Sequence, residues 1–122
     1  MNDYNKNLKR LELLKDFKGG DNEDVPLHPN ALNDMKYIID KCKEFNLPQP
    51  IIFPWAGGDG IQAEWRYDWH LEIDSSSRNG ISILFIKEKC YDEAIILLDL
   101  NIEKAFELVK TFLIHIVNLN KG

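Results

Sequence analysis

The sequence predicts an α+β domain: two helices in the N-terminal half, an antiparallel meander of about four strands, and a long C-terminal helix packed on one sheet face. Three observations carry this. Apolar residues recur at helical spacing from Leu32 to Phe45. Apolar and polar residues alternate from Ile61 to Arg66 and again from Trp69 to Asp74. The segment 101–120 is apolar over most of its circumference. One domain accommodates all 122 residues, and at that length it buries roughly two-thirds of the surface its unfolded chain exposes. With 44% hydrophobic and 29% charged residues, the core needs no disulfide or metal to form.

The first helix is read from NKNLKRLELLKDF. Leu8, Leu11, Leu14 or Lys15, and Phe17 lie near helical spacing, Tyr4 lies one turn earlier, and Gly19-Gly20 end it. Lys6, Lys9, Arg10, Lys15 and Lys18 make this the one locally basic segment, but Glu12 and Asp16 dilute it, so these charges form a solvated helix face. The connector GGDNEDVP has acidic residues but neither the alternating ligands nor the terminal Glu of a calcium loop.

Pro29 opens the second helix at a position where its missing N–H costs nothing. Leu32, Met35, Ile38 or Ile39, Cys42 and Phe45 form its apolar stripe. Asn46 ends it, and Pro48 and Pro50 prevent continuation. Cys42 lies within the stripe and reads as a small core side chain. A nucleophilic thiol would need a base beside it, and the sequence identifies none.

A short extended piece, IIFPW, leads through AGGDG into the strands GIQAEW and WHLEID. GGDG has the glycines of a phosphate loop but not the GxxxxGK[ST] spacing or the following helix, so it reads as a connector. A third strand, GISILFIK, follows a turn at Asn79-Gly80, and a fourth is EAIILLDL. Asn101 caps the final helix. Its apolar positions 102, 105, 106, 109, 112, 113, 116, 117 and 119 make it the expected most buried helix.

Strand side chains alternate faces, so Ile61, Ala63, Trp65, Trp69, Leu71 and Ile73 share one side. Gln62, Glu64, His70, Glu72 and Asp74 share the other. Opposed residues must match in polarity. A three-residue loop, Arg66-Tyr67-Asp68, meets this requirement by pairing Trp65 with Trp69, Ala63 with Leu71 and Ile61 with Ile73. It also pairs Glu64 with His70 and Gln62 with Glu72. The polar row is then expected to be the wet side of the sheet. The competing reading makes it a site: His70 beside Glu64 as an acid–base pair, with Glu72 or Asp74 as an acid or ligand. Trp55, in a glycine-rich loop, is a candidate partner or ligand contact and equally a cap over the core.

The net charge of -5 and pI of about 5.1 exclude a general nucleic-acid binder. No apolar run approaches the ~20 residues that span a bilayer, and no signal peptide is visible. Cys42 and Cys90 are therefore expected as reduced thiols in a cytoplasmic protein. No cofactor or metal-binding motif is present. The third and fourth strands are apolar on both faces, which implies something packed on the far side. The leading expectation is a non-catalytic interaction module, accessory or antitoxin-like, with a protein partner or with itself as a homodimer. The alternative is a small acid–base enzyme or ligand-binding domain using Glu64, His70 and Glu72.

Pro50-Ile51-Ile52-Phe53-Pro54, Asp59-Gly60-Ile61-Gln62-Ala63-Glu64-Trp65 and Leu71-Glu72-Ile73-Asp74 carry a further observation. Together with Phe17-Lys18-Gly19 and Pro29, they make residues 11–74 resemble a widespread family of small, largely uncharacterised bacterial proteins. That family combines a Pro-x-Ile-x-Pro segment with strands of the form Asp-Gly-Gly-Ile-Gln-Leu-Glu-Trp and Leu-Glu-Ile-Glu. Its Trp-Asp-Gly element is missing here. The resemblance implies an α+β meander, brings no activity with it, and marks Glu64 and Glu72 as the residues to test.

Overall fold

A computed structural model describes residues 3–15, 27–54, 59–67, 69–76, 80–87 and 95–121, without the side chains of 99 and 116–121. Among the described residues three helices, α1 (Asp3–Leu14), α2 (Pro29–Glu44) and α3 (Ile102–Lys121), accompany five strands. The strands are β1 (Ile51–Pro54), β2 (Ile61–Arg66), β3 (Trp69–Ser76), β4 (Gly80–Lys87) and β5 (Ile95–Leu100). Every neighbouring pair is antiparallel, and the spatial order β1-β2-β3-β4-β5 follows the chain. This is the expected α+β meander with one strand more. The IIFP piece, between its two prolines, pairs along β2 with Ile52 opposite Ala63.

The ends of α2 show how local chemistry sets the boundaries. His28 is its N-cap, and its Nδ1 accepts the Asn30 N–H at 3.2 Å, with Pro29 in the first turn. At the other end Asn46 takes a left-handed φ of 55°, the Leu47 N–H reaches the Cys42 carbonyl at 2.8 Å, and the Asn46 N–H reaches Lys43 at 3.2 Å. These two bonds form a Schellman motif, which turns the chain toward β1.

The core lies between the helices and the odd-numbered face of the sheet. Met35, Ile38, Ile39 and Cys42 from α2 and Phe106, Val109 and Leu113 from α3 meet Ile52, Ala63, Leu71, Ile73 and Ile83. Leu11 and Leu14 of α1 join at the margin. The helices divide the sheet differently from the sequence expectation. α2 covers β2 and β3, while α3 packs on β4 and against α2, so the two helices share the face that the sequence assigned to the C-terminal helix alone.

The β2–β3 register corrects a second expectation. Trp65 pairs with Leu71, not Trp69; Ala63 pairs with Ile73, and Ile61 with Ser75. The pairing is two residues away from the predicted one, a slip that leaves every side chain on its expected face. The Tyr67 N–H bonds the Trp69 carbonyl at 2.9 Å, so pairing runs closer to the loop than a Trp65–Trp69 pair allows; Asp68 lies outside the described residues. Aromatic contacts favour this arrangement. Trp69 sits 4.9 Å from Tyr67 and 6.1 Å from Phe85, and Phe85 stacks on Phe112 of α3 at 4.8 Å. Trp65 has its own anchor, its indole N–H donating to the Pro48 carbonyl at 2.9 Å.

The two edges of the sheet differ. Along β1 the Asn7 amide donates to the Pro50 carbonyl at 3.0 Å and the Arg10 guanidinium to the Ile52 carbonyl at 2.9 Å. Pro50 and Pro54 offer no N–H, so α1 and the prolines close this edge. β5 pairs with β4 alone among the described residues, and Ile95, Ile96 and Leu98 are exposed. A bulge shifts the β4–β5 register between Ile81 and Ile83.

Candidate functional site

The polar row lies on the even-numbered face, opposite the helices. Cross-strand pairing sets Ile51, Glu64, Glu72, Leu84 and Ile96 in one line across all five strands. A second line runs Phe53, Gln62, Asp74 and Ser82, and a third runs Arg66, His70 and Ile86. The acidic residues are therefore central, with apolar residues on either side.

This row is not the wet surface expected from the sequence. Glu64 is only 5% exposed, and Gln62, His70, Glu72 and Asp74 are half-buried. The residues cover one another. The Gln62 side-chain amide donates to Glu72 Oε1 at 2.8 Å and to Glu64 Oε2 at 3.1 Å. His70 Nε2 lies 2.7 Å from Glu72 Oε1 and 4.0 Å from Glu64 Oε2. Arg66 pairs with the other Glu64 oxygen. The predicted Glu64–His70 pairing is replaced by Glu64 directly opposite Glu72, two like charges that Gln62 bridges.

Asp74 has the most unusual environment. Its Oδ1 is buried and meets no donor among the described residues. Burial, a hydrogen bond with Glu72 and the negative charges of Glu72 and Glu64 push its carboxyl up to about 8. It therefore keeps its proton at neutral pH, because ionising it would place a third charge beside two carboxylates.

Glu64, His70 and Glu72 each offer one ligand atom, all within 4.8 Å of one another. Two carboxylate oxygens and an imidazole nitrogen form a donor set suited to a divalent transition metal. Arg66 is the one fixed cation touching these carboxylates among the described residues, and it pairs with Glu64 alone, while Glu72 and Asp74 bond each other.

Sequence reasoning placed Gln62, Glu64, His70, Glu72 and Asp74 on one face, and the structure brings all five together. Trp55 lies outside the described residues, as does Cys90. Arg66 was visible only as the next even-numbered residue after Glu64. A second polar group was missed. In a cleft lined by His28, Asn30, Asp34 and Ser76, the buried Ser75 hydroxyl donates to Asp34 Oδ2 at 2.7 Å. His28 Nδ1 is taken by the Asn30 N–H, and the Ser75 hydroxyl has the Asp34 carboxylate as its acceptor. The contact joins α2 to β3 across 41 residues of sequence, which no local pattern reveals. Cys42 is buried, and desolvation raises its thiol to about 12, as a core cysteine requires.

Fold and site together define a two-layer α+β domain with a half-buried, cation-poor acidic cluster at the centre of a sheet face. No family model, curated protein or solved structure matches the chain. No described helix is long and apolar enough to cross a membrane.

Proposed function

We propose that the protein is a small non-catalytic interaction module, working in the cytoplasm, whose recognition surface is the even-numbered sheet face. The observation that carries this is the line Ile51–Glu64–Glu72–Leu84–Ile96, two carboxylates flanked by apolar residues on both sides. A lysine or arginine of a protein partner would enter at Glu72, beside Asp74, whose proton it would displace to solvent. There a cation relieves the repulsion that Gln62 and Arg66 only partly offset. Ile51, 55% exposed, and Ile96, 62% exposed, would supply apolar contact at the rim. A net charge of -5 suits an accessory or antitoxin-like role, in which an acidic face masks a basic surface. The resemblance to small bacterial proteins, through Gln62, Glu64 and Glu72, belongs to the same proposal.

The test is affinity purification from the native cell with wild type, with Glu72→Gln/Asp74→Asn, and with Glu44→Gln on the exposed side of α2 as control. The expected partner is basic and dissociates with rising salt. It binds the double variant at least about tenfold more weakly, since an interfacial charge pair of this kind is worth more than ~1.4 kcal/mol. A partner retained equally by the double variant would refute this role for the face.

One observation favours a second reading, a metal-dependent or acid–base site: the 4.8 Å convergence of Glu64, His70 and Glu72. Calorimetric titration with Zn2+ or Mn2+ separates the two readings. One-to-one binding abolished by His70→Ala supports the metal, and no heat with either ion eliminates it.

A further inference from the structure

We infer that β5 is a self-association edge, on which a second copy of this chain adds its own β5 antiparallel to the first. The inference rests on the difference between the two ends of the sheet. At β1 the outward carbonyls of Pro50 and Ile52 are occupied by Asn7 and Arg10 side chains. At β5 no described residue pairs with the outer backbone, so each alternate residue presents N–H and C=O groups toward a partner strand. Ile96 and Leu98 stand 62% and 64% exposed there, and Ile95 is also exposed. An edge of this length and apolarity is a template for another strand.

The strand itself selects the occupant. Residues 95–98 read Ile-Ile-Leu-Leu, so in an antiparallel pair centred on Leu97, Ile96 meets Leu98 of the second copy on one face and Leu97 meets Leu97 on the other, while Ile95 falls opposite Asp99. Its one charged position is Asp99. A two-fold axis through Leu97 carries the two Asp99 positions to opposite sides of the axis, roughly 13 Å apart at about 3.3 Å per residue. A parallel pair in register would place them side by side. The antiparallel arrangement is isologous and closed, as two-fold dimers are, and stops at two copies because both β1 edges are shut. The result is a ten-stranded sheet in which Leu84 and Ile96 of each copy form one apolar strip beside the acidic centre. This association shares Ile96 with the rim of the acidic face but uses none of its carboxylates, and Leu98→Lys together with Glu72→Gln lets it stand or fall separately.

The mass of the full chain in solution, measured by light scattering across a concentration series, tests it. Wild type should reach twice the monomer mass of 14.2 kDa at micromolar concentration. Ile96→Lys and Leu98→Lys, at exposed positions where the fold tolerates a charge, should each raise the dissociation constant at least tenfold with unchanged circular dichroism. Hydrogen exchange at the amides of 95–100 should slow as concentration rises in wild type and not in the variants. Glu72→Gln should leave the dimer intact, which separates this outcome from failure of the acidic-face reading. A mass of 14.2 kDa up to millimolar concentration would overturn the inference. So would a dimer indifferent to both lysine variants, or exchange at 95–100 independent of concentration.

Discussion

Asp74 shows how much of the site's behaviour rests on a single side chain. In an unfolded chain its carboxyl titrates at 3.8, and in the fold at about 8. Between those values the folded protein holds a proton that the unfolded chain has released, so the contribution of this group to stability falls as pH rises through the interval and levels off above it. Asp74→Asn removes that slope while keeping a donor for Glu72. We expect its stability relative to wild type to rise between pH 4 and pH 9, by an amount on the order of 1–2 kcal/mol. Full conversion of the shift would give more, but solvent still reaches part of the carboxyl and screens it. Chemical denaturation of both proteins at several pH values checks this; parallel pH profiles would contradict it. Gln62 acts on the same charges from above. With the amide removed in Gln62→Ala, Glu64 Oε2 and Glu72 Oε1 each lose one donor and the two carboxylates face each other directly, which should cost about 1–2 kcal/mol in the same assay. Cys42 makes a simpler case. With its thiol at about 12 and no path to solvent, it should not react with a thiol reagent until the protein unfolds.

The boundaries of individual elements depend on a few backbone positions. Asn46 holds the left-handed turn that ends α2, and Gly adopts that conformation more cheaply, so Asn46→Gly should leave the melting temperature equal or higher. A β-branched residue there should cost about 1–2 kcal/mol. Gly60 is constrained by space. A Cβ added to it would lie 2.7 Å from the Ser75 carbonyl oxygen and 2.8 Å from Ser76 Cβ, so Gly60→Ala should push β2 away from the end of β3 and lower the melting temperature by several degrees. Elements of this kind were partly legible in the sequence. Alternation at 61–66 and 69–74 fixed both faces, because a face is a local property of parity. Register is a property of the pair. Trp65 opposite Trp69 and Trp65 opposite Leu71 satisfy the same polarity rule, and the observed register goes with contacts beyond the pair: Phe85 of β4 lies against Trp69 and itself stacks on Phe112 of α3. The burial of Glu64 was illegible for a related reason. Parity already put Glu64, His70 and Glu72 on one face, but how far they cover one another depends on the register that sets Glu64 opposite Glu72 and on side-chain contacts that alternation does not specify.

At the scale of the whole molecule, one side of the sheet carries the core and the other carries the chemistry. Stability comes from α2 and α3 packed on the odd-numbered face, and the even-numbered face holds like charges that cost stability. Charge neutralisation within that acidic cluster should therefore be tolerated or stabilising, while core truncation should not. Ile39→Ala, at a fully enclosed position between α2 and the sheet, should cost about 2–5 kcal/mol. Glu72→Gln should cost far less. The same asymmetry extends to the sheet edges. Replacing both Asn7 and Arg10 with Ala uncovers the β1 carbonyls, and the double variant should aggregate at lower temperature than wild type in a light-scattering melt.

The clasp of α1 on β1 also orders events during synthesis. Asn7 and Arg10 leave the ribosome early, but their acceptors lie 43 and 42 residues further along the chain. Until that stretch has emerged, the first helix has nothing to hold, and Leu11 and Leu14 have no core to enter. A nascent polypeptide of this sequence therefore carries its edge guard unfastened until residues 50–52 have emerged.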